Sequence, residues 1–204
     1  MNKYIIGVCL VILVIVGAVY FSKNKDLNGT GSDPLLAGDA VLKAIKDADY
    51  QKLESLTSSD GLSWDHYINL DLKDSKYHIP KDRISSTFTN SEKRLFGYAD
   101  GSGAPIVITG NEYMKKYVYR HDYLDATNTK VTIIKPSVDI TNEQDKFVMS
   151  QMNLYGGIGS RIVTAHHYAD PAANDFDYST IYLVFDTENG EYKLRGIARY
   201  YWTI

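Results

Sequence analysis

The C-terminal stretch constrains the fold most, because in residues 178–204 large apolar side chains recur at every second position on both sides of Asn189-Gly190. Asn and Gly both tolerate positive φ, so this dipeptide predicts a two-residue turn between antiparallel strands. Such a turn sets Phe185 opposite Leu194, which pairs apolar side chains and defines the register. The alternation persists to the last residue. We therefore predict that the chain ends in a long, half-buried strand.

The even-numbered residues of this last strand form the row that we expect to face the core, and Gly196 and Ala198 are its two smallest members. A glycine inside a strand indicates a bulge, a bend or a close neighbour above it. Either the first helix packs onto this spot, or the sheet curves around a cavity that a ligand fills. The second interpretation makes four residues candidates for ligand binding: Gly196, Ala198, Tyr200 and Trp202.

The N-terminal segment, residues 4–21, has eighteen residues without a charge. As an α-helix it would extend over roughly 27 Å, which is enough to span a membrane. No clean small-x-small cleavage site follows it, so the pattern favours an uncleaved transmembrane helix over a signal peptide. The polar residues 23–33 predict a flexible tether. We expect residues 1–22 to be a membrane anchor or signal segment and residues 34–204 to form one domain.

The predicted location is the cell membrane, as a single-pass protein whose C-terminal domain is extracytoplasmic. Cys9 is the only cysteine, so the domain contains no thiol that would mispair in an oxidising compartment. Secretion after cleavage of the N-terminal segment is the alternative. The formal net charge of −3 offers no clustered basic footprint for nucleic acid. The predicted partners are therefore the membrane, through residues 4–21, and a small ligand or a protein.

Local signals place three helices in the domain. Asp33-Pro34 combines an N-cap with a first-turn proline, and Asp49 is a second N-cap for a short helix. Thr109 and Glu112 form a capping box that predicts a third helix, reaching His121 and Asp122. With the predicted strands, these helices indicate an α+β fold in which N-terminal helices pack on a strongly curved, cone-like antiparallel β-sheet, preceded by a single transmembrane helix.

Two resemblances accompany these patterns. The stretch VLKAIKDADYQKLESLTSSDGLSW, residues 41–64, resembles the opening of the nuclear-transport-factor-2-like superfamily, which implies two helices followed by a curved antiparallel sheet. Residues 61–71, residues 95–126 and the C-terminal strands are similar to an uncharacterised family of exported or membrane-anchored bacterial domains. Similarity to that family implies that the domain is exported or membrane-anchored and indicates where the domain begins and ends. It implies no active-site residues for this chain.

Two Asp–His neighbours invite a catalytic interpretation: Asp65 with His66, and His121 with Asp122. The superfamily resemblance implies that an Asp and a His inside the cone can perform general acid–base catalysis. The alternative for the second set is structural, because a His in the last turn of a helix is favoured by the helix dipole.

A third set contains His166 and His167, with several Asp residues after them. Adjacent residues of a strand project to opposite faces, so both cannot bind one ion, and His167 alone is kept as a metal candidate beside a surface role. The Gly-rich loop of residues 99–105 lacks the Lys and Ser or Thr of a phosphate-binding loop and is interpreted as a connecting turn. The sequence indicates no cofactor.

The resulting functional prediction is a membrane-tethered extracytoplasmic domain that binds a small ligand, peptide or envelope partner without catalysis. One alternative is an enzyme that uses Asp–His general acid–base chemistry in the cone. Another is a purely structural interaction module. A Tyr-lined cavity would favour binding, a pocket lined by Asp and His would favour the enzyme, and a filled cone would favour the structural module.

Overall fold

The computed structural model describes residues 32–65, 67–72, 77–99, 101–135, 139–155, 158–169 and 178–201. Its α-helices are α1 (Pro34–Lys46), α2 (Tyr50–Leu56), α3 (Ile84–Thr89), α4 (Gly110–Tyr113) and α5 (Glu143–Tyr155). A 3₁₀-helix (Lys81–Arg83) precedes α3, and a π-helix (Met114–Val118) continues α4. The strands are β1 (Leu62–Trp64), β2 (His78–Ile79), β3 (Arg94–Tyr98), β4 (Pro105–Ile108), β5 (Thr129–Ile134), β6 (Ile162–Ala169), β7 (Tyr178–Glu188) and β8 (Glu191–Tyr201).

The first two helices begin where the sequence predicts. The Asp33 side chain accepts a hydrogen bond from the Leu35 amide at 2.9 Å, and Pro34 occupies the first turn. Asp49 accepts from the Lys52 amide, also at 2.9 Å, and so caps α2. Both caps satisfy amides that have no partner within the helix, and both predictions are confirmed.

The main sheet has six strands in the order β2-β1-β8-β7-β6-β5. All neighbouring pairs are antiparallel except β1 and β8, which run parallel, with Ser63 beside Gly196 and Trp64 beside Ile197. The predicted fully antiparallel sheet is therefore wrong, and the fold is α+β with a mixed sheet. The strand β1 has only three residues, and a segment this short contains no sequence pattern that indicates the direction of pairing.

The fold prediction also placed a transmembrane helix before the domain. Within the described residues, no helix is both long enough and apolar enough to cross a membrane. Residues 4–21 and most of the predicted tether lie outside the described residues.

The C-terminal hairpin forms in the predicted register. Phe185 lies opposite Leu194 and Asp186 opposite Lys193. The turn residues Asn189 and Gly190 have φ of 53° and 83°, the left-handed values that a two-residue hairpin turn requires. The prediction of the turn and of its first pairs is confirmed.

Beyond Leu194 the register shifts, because Val184 lies opposite Gly196 and leaves Arg195 as an extra residue in β8. This β-bulge exchanges the two faces of the strand. Ile197 therefore joins the core face of Leu194, whereas Ala198 turns to the opposite face. The prediction that all even-numbered residues share one face is wrong from Gly196 onward.

Both faces of the sheet are covered. One face carries Ile181 and Leu183 in a core with α1 and α2, and the other carries Tyr182 and Val184 in a second core with α5. A Cβ atom added at Gly196 would lie 2.7 Å from Leu70 Cδ2 and 2.9 Å from Leu72 Cδ2. These leucines, rather than the first helix or a cavity, occupy the space above Gly196.

The third predicted helix is shorter than expected. The capping box of Thr109 and Glu112 is present, but the helix changes to π geometry at Met114 and ends at Val118. His121 and Asp122 therefore follow the helix and do not form its last turn. The sequence reasoning also missed α5, whereas the Gly-rich loop of residues 99–105 connects β3 to β4 as predicted.

Candidate functional site

The two predicted Asp–His sets lie in different surroundings. Asp122 Oδ2 accepts a hydrogen bond from Lys46 Nζ at 2.7 Å and its Oδ1 accepts one from Tyr119 at 2.6 Å. These two bonds, in that order, lower the pKa of the Asp122 carboxyl. The His121 ring stacks on Tyr168 with centroids 4.4 Å apart. Asp122 thus ties α1 to the segment after the π-helix, an arrangement typical of a structural ion pair.

The first set is only partly described. Asp65 Oδ1 accepts a hydrogen bond from the Tyr67 amide at 2.6 Å, which is a local turn contact. His66 lies outside the described residues. The catalytic role of this set therefore stays a prediction.

The histidines of β6 separate as expected, with His166 facing α1 and His167 facing α5. The His166 Nε2 lies 3.2 Å from Thr164 Oγ1, and the Gly38 backbone packs against the ring. Burial first, and then the neighbouring His167, lower the pKa of His166 to about 4. His166 is therefore a neutral core residue at neutral pH.

His167 belongs to a buried polar cluster that sequence reasoning did not find. Its Nε2 lies 3.5 Å from Asp145 Oδ2, an ion-pair contact that is too long for a good hydrogen bond. Asp145 Oδ1 accepts from the Tyr182 hydroxyl at 2.9 Å, and Gln144 Nε2 donates to Thr180 Oγ1 at 2.8 Å. Among the described residues, no group of three or more His, Cys, Asp and Glu could hold a metal ion.

The order Asp145, His167, Thr180 resembles the acid–base–hydroxyl series of hydrolases, since His167 Nδ1 lies 3.1 Å from Thr180 Oγ1. However, Thr180 is only 2% exposed, and its oxygen already accepts a hydrogen bond from Gln144. A hydroxyl that a substrate cannot reach does not act as a nucleophile. The cluster instead fastens the first turn of α5 to β6 and β7.

The predicted ligand-binding row is buried under the second core. Ala198 is 0% exposed and Gly196 lies beneath Leu70 and Leu72. Tyr200 is half-buried beside Phe147 of α5, and Trp202 lies outside the described residues. Gly196 and Ala198 are therefore covered by neighbouring side chains and face no open cavity.

A cavity of about 360 Å³ lies instead on the opposite face, between the π-helix and the end of β8. The bulge at Arg195 turns the odd-numbered residues of β8 toward it, and the π-helix supplies its other wall. Its lining consists of four basic and two aromatic residues: Lys115, Lys116, Tyr117, Arg120, Arg199 and Tyr201.

Arg199 lies at the base of this cavity and is 1% exposed. Its Nη1 donates to the carbonyl oxygen of Tyr117, and its Nη2 donates to Ser179 Oγ at 3.1 Å. The guanidinium carbon lies 4.4 Å from the ring centroid of Tyr201. The buried Nε has no hydrogen-bond partner within the described part of the chain. All of these contacts are to uncharged groups, so the positive charge of Arg199 is not neutralised by them.

The rim of the cavity adds further positive charge. Lys115, Lys116 and Arg120 are exposed, and none of them forms an ion pair with a carboxylate among the described residues. By contrast, Lys43 pairs with Asp47 at 2.7 Å. Four cationic side chains, with no acidic residue in the described part of the lining, concentrate positive potential in a concave site.

Sequence reasoning missed this site because it assigned Arg199 to the solvent-facing row of an unbroken strand. The sequence did contain a signal, because Gly196 indicates a possible bulge. A bulge there would exchange the two faces of the strand after it and turn Arg199 away from solvent. The cluster Lys115-Lys116 and Arg120 was visible as a local basic segment, but nothing in the sequence placed it beside β8.

Comparison with family models, curated proteins and solved structures finds no match to this chain. The resemblance to the nuclear-transport-factor-2-like superfamily, the bacterial family, the location and the partners therefore stay predictions.

Proposed function

We propose that the domain is a binding module that holds an anionic ligand in the cavity around Arg199. The observation that carries this proposal is a buried guanidinium whose recorded partners are all uncharged. A buried charge is costly unless it is offset. Arg199 is 1% exposed, so an anion bound by the exposed Lys115, Lys116 and Arg120 would offset its charge through space and not by direct contact.

The shape of the site supports the same function. Pockets for small ligands have volumes of about 300–1,000 Å³, and the cavity, with about 360 Å³, falls within this range. The π-helix supports the proposal as well, since single π-turns occur frequently at functional sites. The binding prediction made from the sequence is retained, whereas its position moves from the Gly196 row to the opposite face of β8.

Titration calorimetry with ATP in metal-free buffer tests the proposal, because ATP carries both clustered anionic groups and an aromatic base. The double variant Lys116→Gln/Arg120→Gln removes two exposed charges of the rim without altering the core. We expect its affinity for ATP to fall by about tenfold or more, since a hydrogen bond to a charged group contributes about 1.5–3 kcal/mol.

The matched control is Lys43→Gln/Lys146→Gln, which removes two exposed positive charges from α1 and α5. This control should bind ATP as the unaltered protein does. Equal loss of affinity in both double variants would show that ATP responds only to net charge, and the proposed site would be rejected.

A further inference from the structure

The charge of the cavity restricts the class of ligand. Lys115, Lys116, Arg120 and Arg199 contribute four positive charges, and the described part of the lining contains no Asp or Glu. Glu112, outside the lining, interacts electrostatically with Lys116. A ligand with a single carboxylate would therefore leave at least two of these charges without a counterion. A ligand with adjacent anionic groups can neutralise several of them at once, which favours polyanions over monoanions.

The aromatic rings of the cavity are already engaged by the protein. Tyr201 stacks on Tyr67 with centroids 5.8 Å apart, and it also lies against the guanidinium of Arg199. Tyr117 stacks on Tyr113 at 5.6 Å, and Lys116 Nζ lies 5.4 Å from its ring centroid. Both aromatic rings in the described part of the lining therefore have partners already, and stacking of a nucleobase on them adds little to binding.

We infer that the ligand is a compact polyanion with two or more adjacent phosphate or carboxylate groups, recognised by charge and not through an aromatic or nucleoside moiety. The volume of about 360 Å³ is near the lower limit for small-molecule sites, which agrees with a compact ligand. This inference rests on the proposed function and specifies the ligand class of the same cavity.

Competition between four probes tests the inference on the full-length protein in metal-free buffer. The probes are tripolyphosphate, ATP, citrate and acetate. We expect tripolyphosphate to bind within about threefold of ATP, because both present three linked phosphates and the base contributes little. Acetate should bind at least about a hundredfold more weakly than tripolyphosphate, since charge-assisted contacts contribute about 1.5–3 kcal/mol each.

Citrate distinguishes the two chemical sources of a compact polyanion. If citrate binds within about tenfold of tripolyphosphate, the site recognises any compact polyanion by its charge. If citrate binds more weakly than that, the ligand is an oligophosphate. Affinity for either should fall as salt rises, because screening weakens contacts to the exposed rim.

Two outcomes would overturn the inference while leaving the proposed function intact. One is that ATP binds more than about tenfold tighter than tripolyphosphate, which would show recognition of the nucleoside. The other is that acetate binds as tightly as tripolyphosphate, which would show that one anionic group suffices. Failure of all four probes would instead reject the proposed anion site itself.

Discussion

Arg199 donates a hydrogen bond from Nη1 to the carbonyl oxygen of Tyr117, and this contact joins β8 to the end of the π-helix. The last turn of a helix leaves carbonyl oxygens without intrahelical donors, so the guanidinium acts as a cap there. Its Nη2 reaches Ser179 on β7. One side chain therefore both holds the walls of the cavity together and supplies the charge at its base.

Replacing Arg199 by Met should lower the free energy of unfolding by about 1.5–3 kcal/mol, because the Tyr117 carbonyl and the Ser179 hydroxyl lose a charged donor. Urea denaturation followed by circular dichroism measures this loss. The control Arg120→Met changes the same residue type at an exposed position of the same cavity and should leave the midpoint nearly unchanged. Identical midpoints for the two variants would contradict the structural role of Arg199.

Replacing Ala198 by Leu should destabilise the domain by about 1–3 kcal/mol, because Ala198 is 0% exposed and lies in the core shared with α5. A ligand-filled cavity at this position would have made the substitution nearly neutral. The control Ala169→Leu makes the same change at an exposed residue of β6 and should be tolerated. Thermal unfolding compares the two variants, and a stable Ala198→Leu protein would restore the cavity interpretation.

The buried His166 should make stability depend on pH. Its pKa is about 4 in the folded protein, against 6.5 for an ordinary His, so between these values the unfolded chain binds more protons than the folded one. The contribution is complete above pH 6.5 and is lost as the pH falls toward 4. At about 1.36 kcal/mol per pKa unit, the loss over the whole window is on the order of 3 kcal/mol.

Urea unfolding at several pH values in this window measures the effect of His166. The variant His166→Gln should show a shallower decline of stability at low pH than the unaltered protein. If the curve of His166→Gln runs parallel to that of the unaltered protein, the buried neutral imidazole is not the group that titrates.

Replacing Tyr182 by Phe should cost about 1–3 kcal/mol, because it removes the hydroxyl that donates to the buried Asp145 at 2.9 Å. The burial of Tyr182, followed by the influence of Asp145, raises the pKa of its hydroxyl above the ordinary value, so the hydroxyl stays protonated at neutral pH. Tyr192→Phe is the control, at a half-buried position of β8. Equal stability of the two variants would show that Asp145 does not depend on this donor.

Short-range interactions explain which parts of the fold were predictable. The caps at Asp33 and Asp49 and the box at Thr109 each join residues that lie two or three positions apart. The turn at Asn189-Gly190 depends on backbone conformations of the same two residues. Such contacts form within a few residues, so the local sequence contains all that they need.

The missed elements depended on residues far apart in the chain. The apolar residues of helix α5 form only a weak stripe along the sequence. In the structure, Val148 and Met152 pack in the second core, and Asp145 and Gln144 fasten the first turn to β7. The parallel pairing of β1 with β8 joins residues more than 130 positions apart. Local propensity contains no information about either partner, because tertiary packing selects them.

By itself, the sequence determined the caps, the hairpin turn and the strand pairs next to it, since each depends on neighbouring residues and the backbone angles they allow. Only the tertiary structure decided the faces of β8 and the position of the candidate site. Side chains alternate between the two faces of a strand, so the single extra residue at Arg195 exchanges the faces of every residue after it. That reversal buries Ala198 in the second core and sends Arg199 to the π-helix, where the basic side chains of a distant segment complete the cavity.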